Sequence, residues 1–381
     1  MLDLPTGDGG VLPAQWMRKA IAADVIGSDR YKIPDDHVQP ASLDLRLGDR
    51  AHRLRCSFLP DRGRVEDKLA DYSMETLDLR DGAILERNRP YLIPLIEGLQ
   101  LPLELRAKTN PKSSTGRLDI FTRVITDHSY RFDDIARGYT GRLYVEVFSR
   151  SFTIKVHEGL SLNQLRLMAG HNKCSDDDIR ALHDIDPVLY VDEEPVPGRD
   201  LAVGDGLFLS LDLVGDDDGV VGYRAKKNSQ LVDLSLLDHY DVEDFWEPVR
   251  RERGRNRVVL EPEEFYLLLS TEGVRVPPAY AAEMTAYDPT SGELRTHYAG
   301  FFDPGFGHQA GRPGGSRAAL EVRAHDVPFV VEHRQRVCKL TFEPMIETPS
   351  TLYGESDASH YQFQAGTLSK HFRRPRPNPA E

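Results

Sequence analysis

The sequence predicts an all-β-dominated chain of two tandem barrel-like or sandwich-like units with a few short helices. Three observations carry that expectation. Short β-rich runs are punctuated by Pro, Gly and Asp, the length of 381 residues exceeds one comfortable core, and the second half repeats the first. Shifted by 175 residues, Tyr91-Leu92 falls on Tyr266-Leu267, Glu97-Gly98 on Glu272-Gly273 and Pro102 on Pro277. Further on, Val145-Glu146-Val147 falls on Leu320-Glu321-Val322, and Leu165-Arg166-Leu167 on Leu340-Thr341-Phe342. Identities at one offset in widely separated segments mark a tandem duplication, with expected units at 1–190 and 200–381.

Taken in order, Pro13 to Ile26 carries Trp16, Met17, Ile21, Ala22 and Val25 at helical spacing and predicts a short amphipathic helix. Gln39 to Gly48 alternates Leu with polar residues and predicts a strand ending in a Gly turn. Short strands are expected at Tyr91–Pro94, Arg123–Ile125, Arg142–Phe148, Thr153–Val156 and Asn163–Leu167. The polar stretch His171 to Arg199 reads as a linker with one helix. Asp216-Asp217-Asp218-Gly219 reads as a hairpin turn, a carboxylate metal site being the alternative. Gly311 to Arg317 lacks the Lys-Ser/Thr ending of a phosphate loop and reads as an inserted surface loop. Trp16 and Trp246 are expected to be packing anchors, and Lys370 to Arg376 a frayed basic terminus, a polyphosphate contact being the weaker alternative.

Composition narrows the partners. With 40% hydrophobic and 29% charged residues the chain is ordinary globular material. No apolar run reaches the length of a membrane span, and Met1-Leu2-Asp3-Leu4-Pro5 lacks a basic region followed by an apolar core, so a cytoplasmic location is expected. Lys plus Arg number 48 against 61 Asp plus Glu, a net charge of −13 that argues against a nucleic-acid polymer or an anionic membrane as partner. Cys56, Cys174 and Cys338 are too far apart in sequence to give a disulfide framework or a Cys-x-x-Cys zinc pair.

Against that acidic background, Lys112-Ser113-Ser114-Thr115-Gly116-Arg117 stands out. Two cations bracket three hydroxyls and a glycine, the chemistry of a polyphosphate site, although a solvated turn also explains the string. Glu146 and Glu321 lie at the same repeat position in otherwise apolar strands. A water-facing strand position explains either glutamate alone. A carboxylate in both halves points instead to a water-poor pocket, where a raised pKa suits it to accept and return a proton.

Gln39–Gly48, Lys112–Leu118, the Gly141 to Glu146 strand and the Asp303-Pro304-Gly305-Phe306 turn are similar to the deoxycytidine triphosphate deaminases of the trimeric dUTPase superfamily. The tail Tyr353 to Gly366 is similar to the one that closes over the nucleotide there, and the larger, duplicated form of the deaminase is the nearest likeness. The dUTPases typically carry an apolar residue five places after the leading glycine of that strand, where this chain has Glu146 after Gly141. The resemblance implies two dUTPase-like β-barrel domains with jelly-roll-like pairing and a site between barrels. Repeat 1 keeps Ser113, Ser114 and Arg117 but has Ala136 where the family has a sugar-binding aspartate. Repeat 2 keeps that aspartate as Asp303, after Tyr298-Ala299-Gly300, and keeps Glu321 and the tail, but Asp288, Pro289 and Gly292 replace the phosphate residues. Each half has lost what the other retains. One composite site is therefore expected where repeat 1 meets repeat 2, within a chain or between chains.

The resemblance implies hydrolytic deamination of deoxycytidine triphosphate to deoxyuridine triphosphate and ammonia. Glu321 would relay protons, with Glu146 as the duplicate carboxylate. Ser113 and a carbonyl near Ala299 would hold the attacking water, and Asp303 would accept from the sugar 3′-hydroxyl. Lys112, Ser114 and Arg117 would bind phosphate, and Tyr353, His360 and Gln364 would contribute from the tail, His360 standing where the family has a lysine. The zinc-deaminase signature is absent, so water would be activated without zinc, and Mg2+ would arrive on the triphosphate. A trimer-related homo-oligomer is expected. A pyrophosphatase using Asp303, a bifunctional enzyme and a silent nucleotide-binding regulator are the other readings.

Overall fold

The computed structural model describes residues 9–28, 30–286, 294–296, 300–309, 311–324, 326–355, 360–364 and 366–373. Strands dominate, and the five α-helices are short. No helix among the described residues is long and apolar enough to cross a membrane. The helix expected near the start spans Ala14–Ala22 and buries Trp16, Met17 and Ala20.

The duplication is written into strand register. In the first unit Thr140–Ser149 lies between Tyr91–Gln100 and Ile120–Ile125, and Glu146 stands opposite Leu92. In the second, Ser316–Ala324 pairs with Tyr266–Val274, and Glu321 stands opposite Leu267. On the facing sheets Leu105–Pro111 pairs with Ser161–Gly170, placing Leu105 opposite Ala169, while Tyr280–Ala286 pairs with Arg336–Pro344, placing Tyr280 opposite Pro344. A one-residue slip would exchange buried and exposed faces, so preserved register is strong evidence of a common origin. Side-chain anchors repeat as well. Tyr91 Oη accepts from Glu86 N at 3.1 Å and Tyr266 Oη from Glu261 N at 2.9 Å. Glu97 accepts from Arg46 N at 2.7 Å, and Glu272 from Ser210 N at 2.9 Å.

Each unit has its own apolar core, but the chain does not divide between them where the sequence suggested. Residues 176–191, expected to close the first unit, build the second: Ile179, Val188 and Leu189 join its core. The stretch read as a linker contains the helix Asp176–Ile185, started by a capping box between Ser175 and Asp178. Its acidic residues sit in the first turn, where they favour the helix rather than solvate a linker. Asp216–Gly219 forms a tight turn, with Gly219 N donating to Asp216 O at 2.8 Å. The strands on either side, Leu207–Ser210 and Val220–Ala225, belong to different sheets, so the turn closes no hairpin.

The tail corrects another expectation. Phe372 is 2% exposed and packs edge-on against Phe245 and Trp246, with ring centroids 5.5 and 5.8 Å away. Both rings belong to the first unit's core although their residues lie in the second half of the chain. His371 is also buried, so Lys370–Phe372 is a structural strap and not a frayed end. The basic residues around it concealed one aromatic anchor. Trp246 is 1% exposed, as expected of a packing residue. Residues 374–376 of the basic run lie outside the described residues.

Three sets of contacts lock the units together. Val11, Ala41, Met168, Ala281 and Met345 form a small apolar cluster across the boundary. Lys108 pairs with Glu283, its own repeat equivalent. Arg166 pairs with Glu343 at 2.7 Å and Asp303 at 3.1 Å, and Arg323 pairs with Asp119, all with little or no exposure.

The strap predicts a measurable cost. Phe372→Ala should destabilise the protein by about 3–5 kcal/mol, the usual cost of deleting a buried aromatic ring. Thermal unfolding reads this directly, and an unchanged melting temperature would return the segment to a frayed terminus.

Candidate active site

The phosphate-type string folds as a one-turn helix, Ser113–Gly116, at the end of the Leu105–Pro111 strand. Lys112 closes the turn, its carbonyl accepting from Thr115 N at 2.8 Å, and Ser114, Thr115 and Gly116 are buried. This turn forms one wall of a cavity of about 250 Å³. Lys112, Ser113, Ser114 and Arg117 from the first unit meet Asp303, Glu321, Tyr353, His360 and Gln364 from the second there. All belong to one chain.

Glu321 comes from the Ser316–Ala324 strand and lies directly over the phosphate turn. A methyl group on Gly116 would stand 2.5 Å from Glu321 Oε2 and 2.7 Å from Oε1. The glycine is therefore required by the carboxylate's proximity, not by a left-handed backbone. Loss of hydration pushes the Glu321 carboxyl up from 4.5 to about 8; Arg117 opposes the shift and Asp119 adds to it. Such a group exchanges protons near neutrality.

Asp303 ends the short strand Gly300–Phe302 and begins the turn to Phe306, whose amide donates to Asp303 O at 3.1 Å. Gly305 has φ +97, and a Cβ there would stand 2.8 Å from Leu352 and 2.9 Å from Tyr353 N, so glycine is dictated at this turn. The Asp303 side chain is held by Arg166, whose guanidinium also lies 3.9 Å from the Phe301 ring. Burial raises the Asp303 carboxyl above its ordinary range, against the pull of Arg166. Lys112 pairs with Asp44 of the Leu43–Arg46 strand.

The tail closes the remaining side. Arg117 donates to Thr367 O at 3.1 Å, and its guanidinium lies 3.8 Å from the centre of the Tyr361 ring. Ser369 Oγ donates to Ser114 O at 2.8 Å. Tyr353 Oη accepts from Tyr361 N at 3.2 Å, and Gln364 Nε2 donates to Arg317 O at 2.9 Å. Gln364 Oε1 is buried without a hydrogen-bond partner among the described residues.

Glu146 is not brought to this cavity. Arg123 stands opposite it on the neighbouring strand and pairs with it, and the Phe132 ring covers that guanidinium at 4.2 Å. The duplicate carboxylate is engaged through Oε1 in a cross-strand ion pair, away from the cavity that holds Glu321. Ala299 and the counterparts of the phosphate loop, Asp288, Pro289 and Gly292, lie outside the described residues, as do tail residues 356–359 and 365. Among the described residues no three His, Cys, Asp or Glu side chains gather as a metal-ligand set.

Sequence reasoning missed Asp44, Gly116, Asp119, Arg166 and Arg323, and it favoured a frayed end over a phosphate contact for the tail that carries Lys370. Asp44 and Gly116 stood inside motifs already singled out, and only the geometry gives them a partner. Gly116→Ala should lower kcat at least tenfold, about 1.4 kcal/mol of barrier, by displacing the Glu321 carboxylate. The displaced atoms end a flexible side chain, so the melting temperature should move by no more than about 4 °C, the equivalent of roughly 1 kcal/mol. Near-normal kcat would show that Glu321 does not need its seat against the turn.

Comparison with known proteins identifies the family. Residues 8–171 match the 2′-deoxycytidine 5′-triphosphate deaminase N-terminal domain, and residues 175–372 match the C-terminal domain. The crystal structure of 2′-deoxycytidine 5′-triphosphate deaminase from Agrobacterium tumefaciens is similar with a TM-score of 0.83 and 48% identity, covering 89% of this chain and 100% of that one. A protein of Methanothermobacter thermautotrophicus named dCTP deaminase, dUMP-forming, is 28% identical over 138 residues, which is 36% of this chain and 67% of that protein. With both halves matched, the chain belongs to the 2′-deoxycytidine 5′-triphosphate deaminase family.

Proposed function

We propose that this chain hydrolyses the 4-amino group of deoxycytidine triphosphate, releasing deoxyuridine triphosphate and ammonia for pyrimidine deoxynucleotide synthesis, at one composite site per chain. The observation that carries the reading is the meeting of the only intact phosphate turn with Glu321 in one cavity. The family membership supplies the substrate.

In this reading Ser113, Ser114 and Arg117 bind the triphosphate, which arrives with Mg2+ as part of the substrate. Asp303, steadied by Arg166, accepts from the sugar 3′-hydroxyl. Glu321 removes a proton from water as oxygen attacks C4 of the ring and delivers a proton to N3. A further proton transfer then lets the amine depart as ammonia. Ser113 and a backbone carbonyl near Ala299 orient the water. The Tyr353, His360 and Gln364 segment excludes bulk solvent, which keeps the Glu321 proton on the reaction path. No zinc takes part. The enzyme acts in the cytoplasm as a homo-oligomer related to the family's trimers.

A second reading, deamination followed by pyrophosphate release, is raised by the name of the dUMP-forming relative. The pairing of Asp303 with buried Arg166 disfavours Asp303 as the base for that extra step.

One assay tests these points together. Incubation with deoxycytidine triphosphate, Mg2+ and a zinc chelator should yield ammonia and deoxyuridine triphosphate, without deoxyuridine monophosphate. Glu321→Gln should abolish turnover while binding persists, and Glu146→Gln should retain most of it. Below the Glu321 inflection the carboxyl is protonated and cannot accept a proton, so kcat should rise with pH towards about 8. Turnover that survives Glu321→Gln, or that only added zinc restores, would contradict the mechanism.

A further inference from the structure

The cavity contains a cation from the basic tail, where a polyphosphate contact is the lesser of the two sequence readings. Lys370 lines the composite site and also a neighbouring cavity of about 280 Å³, the two sharing Asp44, Lys112 and Ser114 as walls. Its backbone is fixed from three directions. Lys370 N donates to Tyr361 Oη at 3.2 Å, Lys370 O accepts from Asp238 N at 3.0 Å, and the preceding Ser369 is tied to Ser114. The ammonium makes no ion pair among the described residues.

The other cations at this wall are shared with protein partners. Lys112 is paired with Asp44, and Arg117 holds the tail through the Thr367 and Leu368 carbonyls and the Tyr361 ring as well as facing the phosphate site. His360 places an imidazole at the tail position where the resembled family has a lysine. A triphosphate seated on the Ser113–Arg117 turn therefore needs further positive charge, and the strap supplies it.

Resting on the deaminase reading above, we propose that Lys370 is the terminal-phosphate ligand of this site and sets its preference for nucleoside triphosphates over monophosphates. The groups around it are Asp44 and Lys112 of the first unit, Asp36 and His37 at the cavity mouth, and His360 and His371 of the tail. Burial, reinforced by Lys112 and opposed by Asp44, lowers the Lys370 ammonium to about 8. Burial lowers His371 to about 4, which leaves it neutral at physiological pH and Lys370 as the charged group of that pair. The lysine is protonated below about 8 and loses its charge as pH rises through that value, so triphosphate affinity should fall in the same direction.

The test measures dCTP and dCMP binding by calorimetry in the Glu321→Gln background, where substrate stays intact. Adding Lys370→Met should weaken dCTP at least tenfold and dCMP less than twofold, and Lys370→Arg should recover most of the loss. The parent should lose dCTP affinity between pH 7 and pH 9, and the Lys370→Met protein should not. Unchanged dCTP affinity, or equal losses for dCTP and dCMP, would overturn the assignment. Absence of ammonia release by the wild-type protein would instead defeat the deaminase reading, with Lys370 still judged on binding.

Discussion

The site depends on a buried ion pair between Asp119 and Arg323. Asp119 lies two residues beyond Arg117, and Arg323 two residues beyond Glu321, so this pair sets the Ser113–Gly116 turn of one repeat against the Glu321 strand of the other. Asp119 has φ 58, a left-handed conformation that Asp tolerates, where the chain turns from the helix into the Ile120–Ile125 strand. The same Asp119 Oδ2 that pairs with Arg323 also accepts from Ser151 Oγ at 2.6 Å, Oδ1 accepts from Arg323 Nε, and Arg323 donates to Glu263 O, so both charges are satisfied on several sides. Desolvation makes such a pair a weak source of net stability, yet breaking it typically costs about 3–5 kcal/mol. Its value here is register: the pair specifies which surfaces of two similar barrels face each other.

Arg166 performs the equivalent task at the far side of the cavity, joining Asp303 and Glu343 of the second unit to the first unit's Ser161–Gly170 strand. Between these clamps Glu321 sits under strain of its own making. Its folded carboxyl ionises near 8 while the unfolded one ionises near 4.5, so it stabilises the fold at low pH and loses that contribution as pH rises through this window. The buried Glu321 carboxyl is thus a stability cost near neutral pH.

Much of this was legible in the sequence. The repeat offset, the strand runs and the hydroxyl-rich turn follow from residue types and spacing, and the complementary losses in each half from the family resemblance. The unreadable parts depend on which side chains meet across the repeat boundary. Glu146 and Glu321 occupy the same repeat position; the resemblance favours Glu321, and the structure separates them by placing Glu321 in the cavity and Arg123 opposite Glu146. Asp119, Arg166 and Arg323 look like ordinary charged residues until burial pairs them. The strap was hidden because Lys370, His371 and Arg373 suggest a solvated end, while one ring, Phe372, holds it in the core.

The central claim is that both half-sites come from the same chain. Co-expression of Arg117→Ala and Glu321→Gln chains, purified as mixed oligomers and assayed for ammonia release, tests it most directly. A site built within one chain predicts that every site keeps one defect and that activity stays at the level of the separate variants. Recovery of a substantial fraction of wild-type activity would mean that one chain's phosphate turn serves another chain's glutamate, contradicting the account.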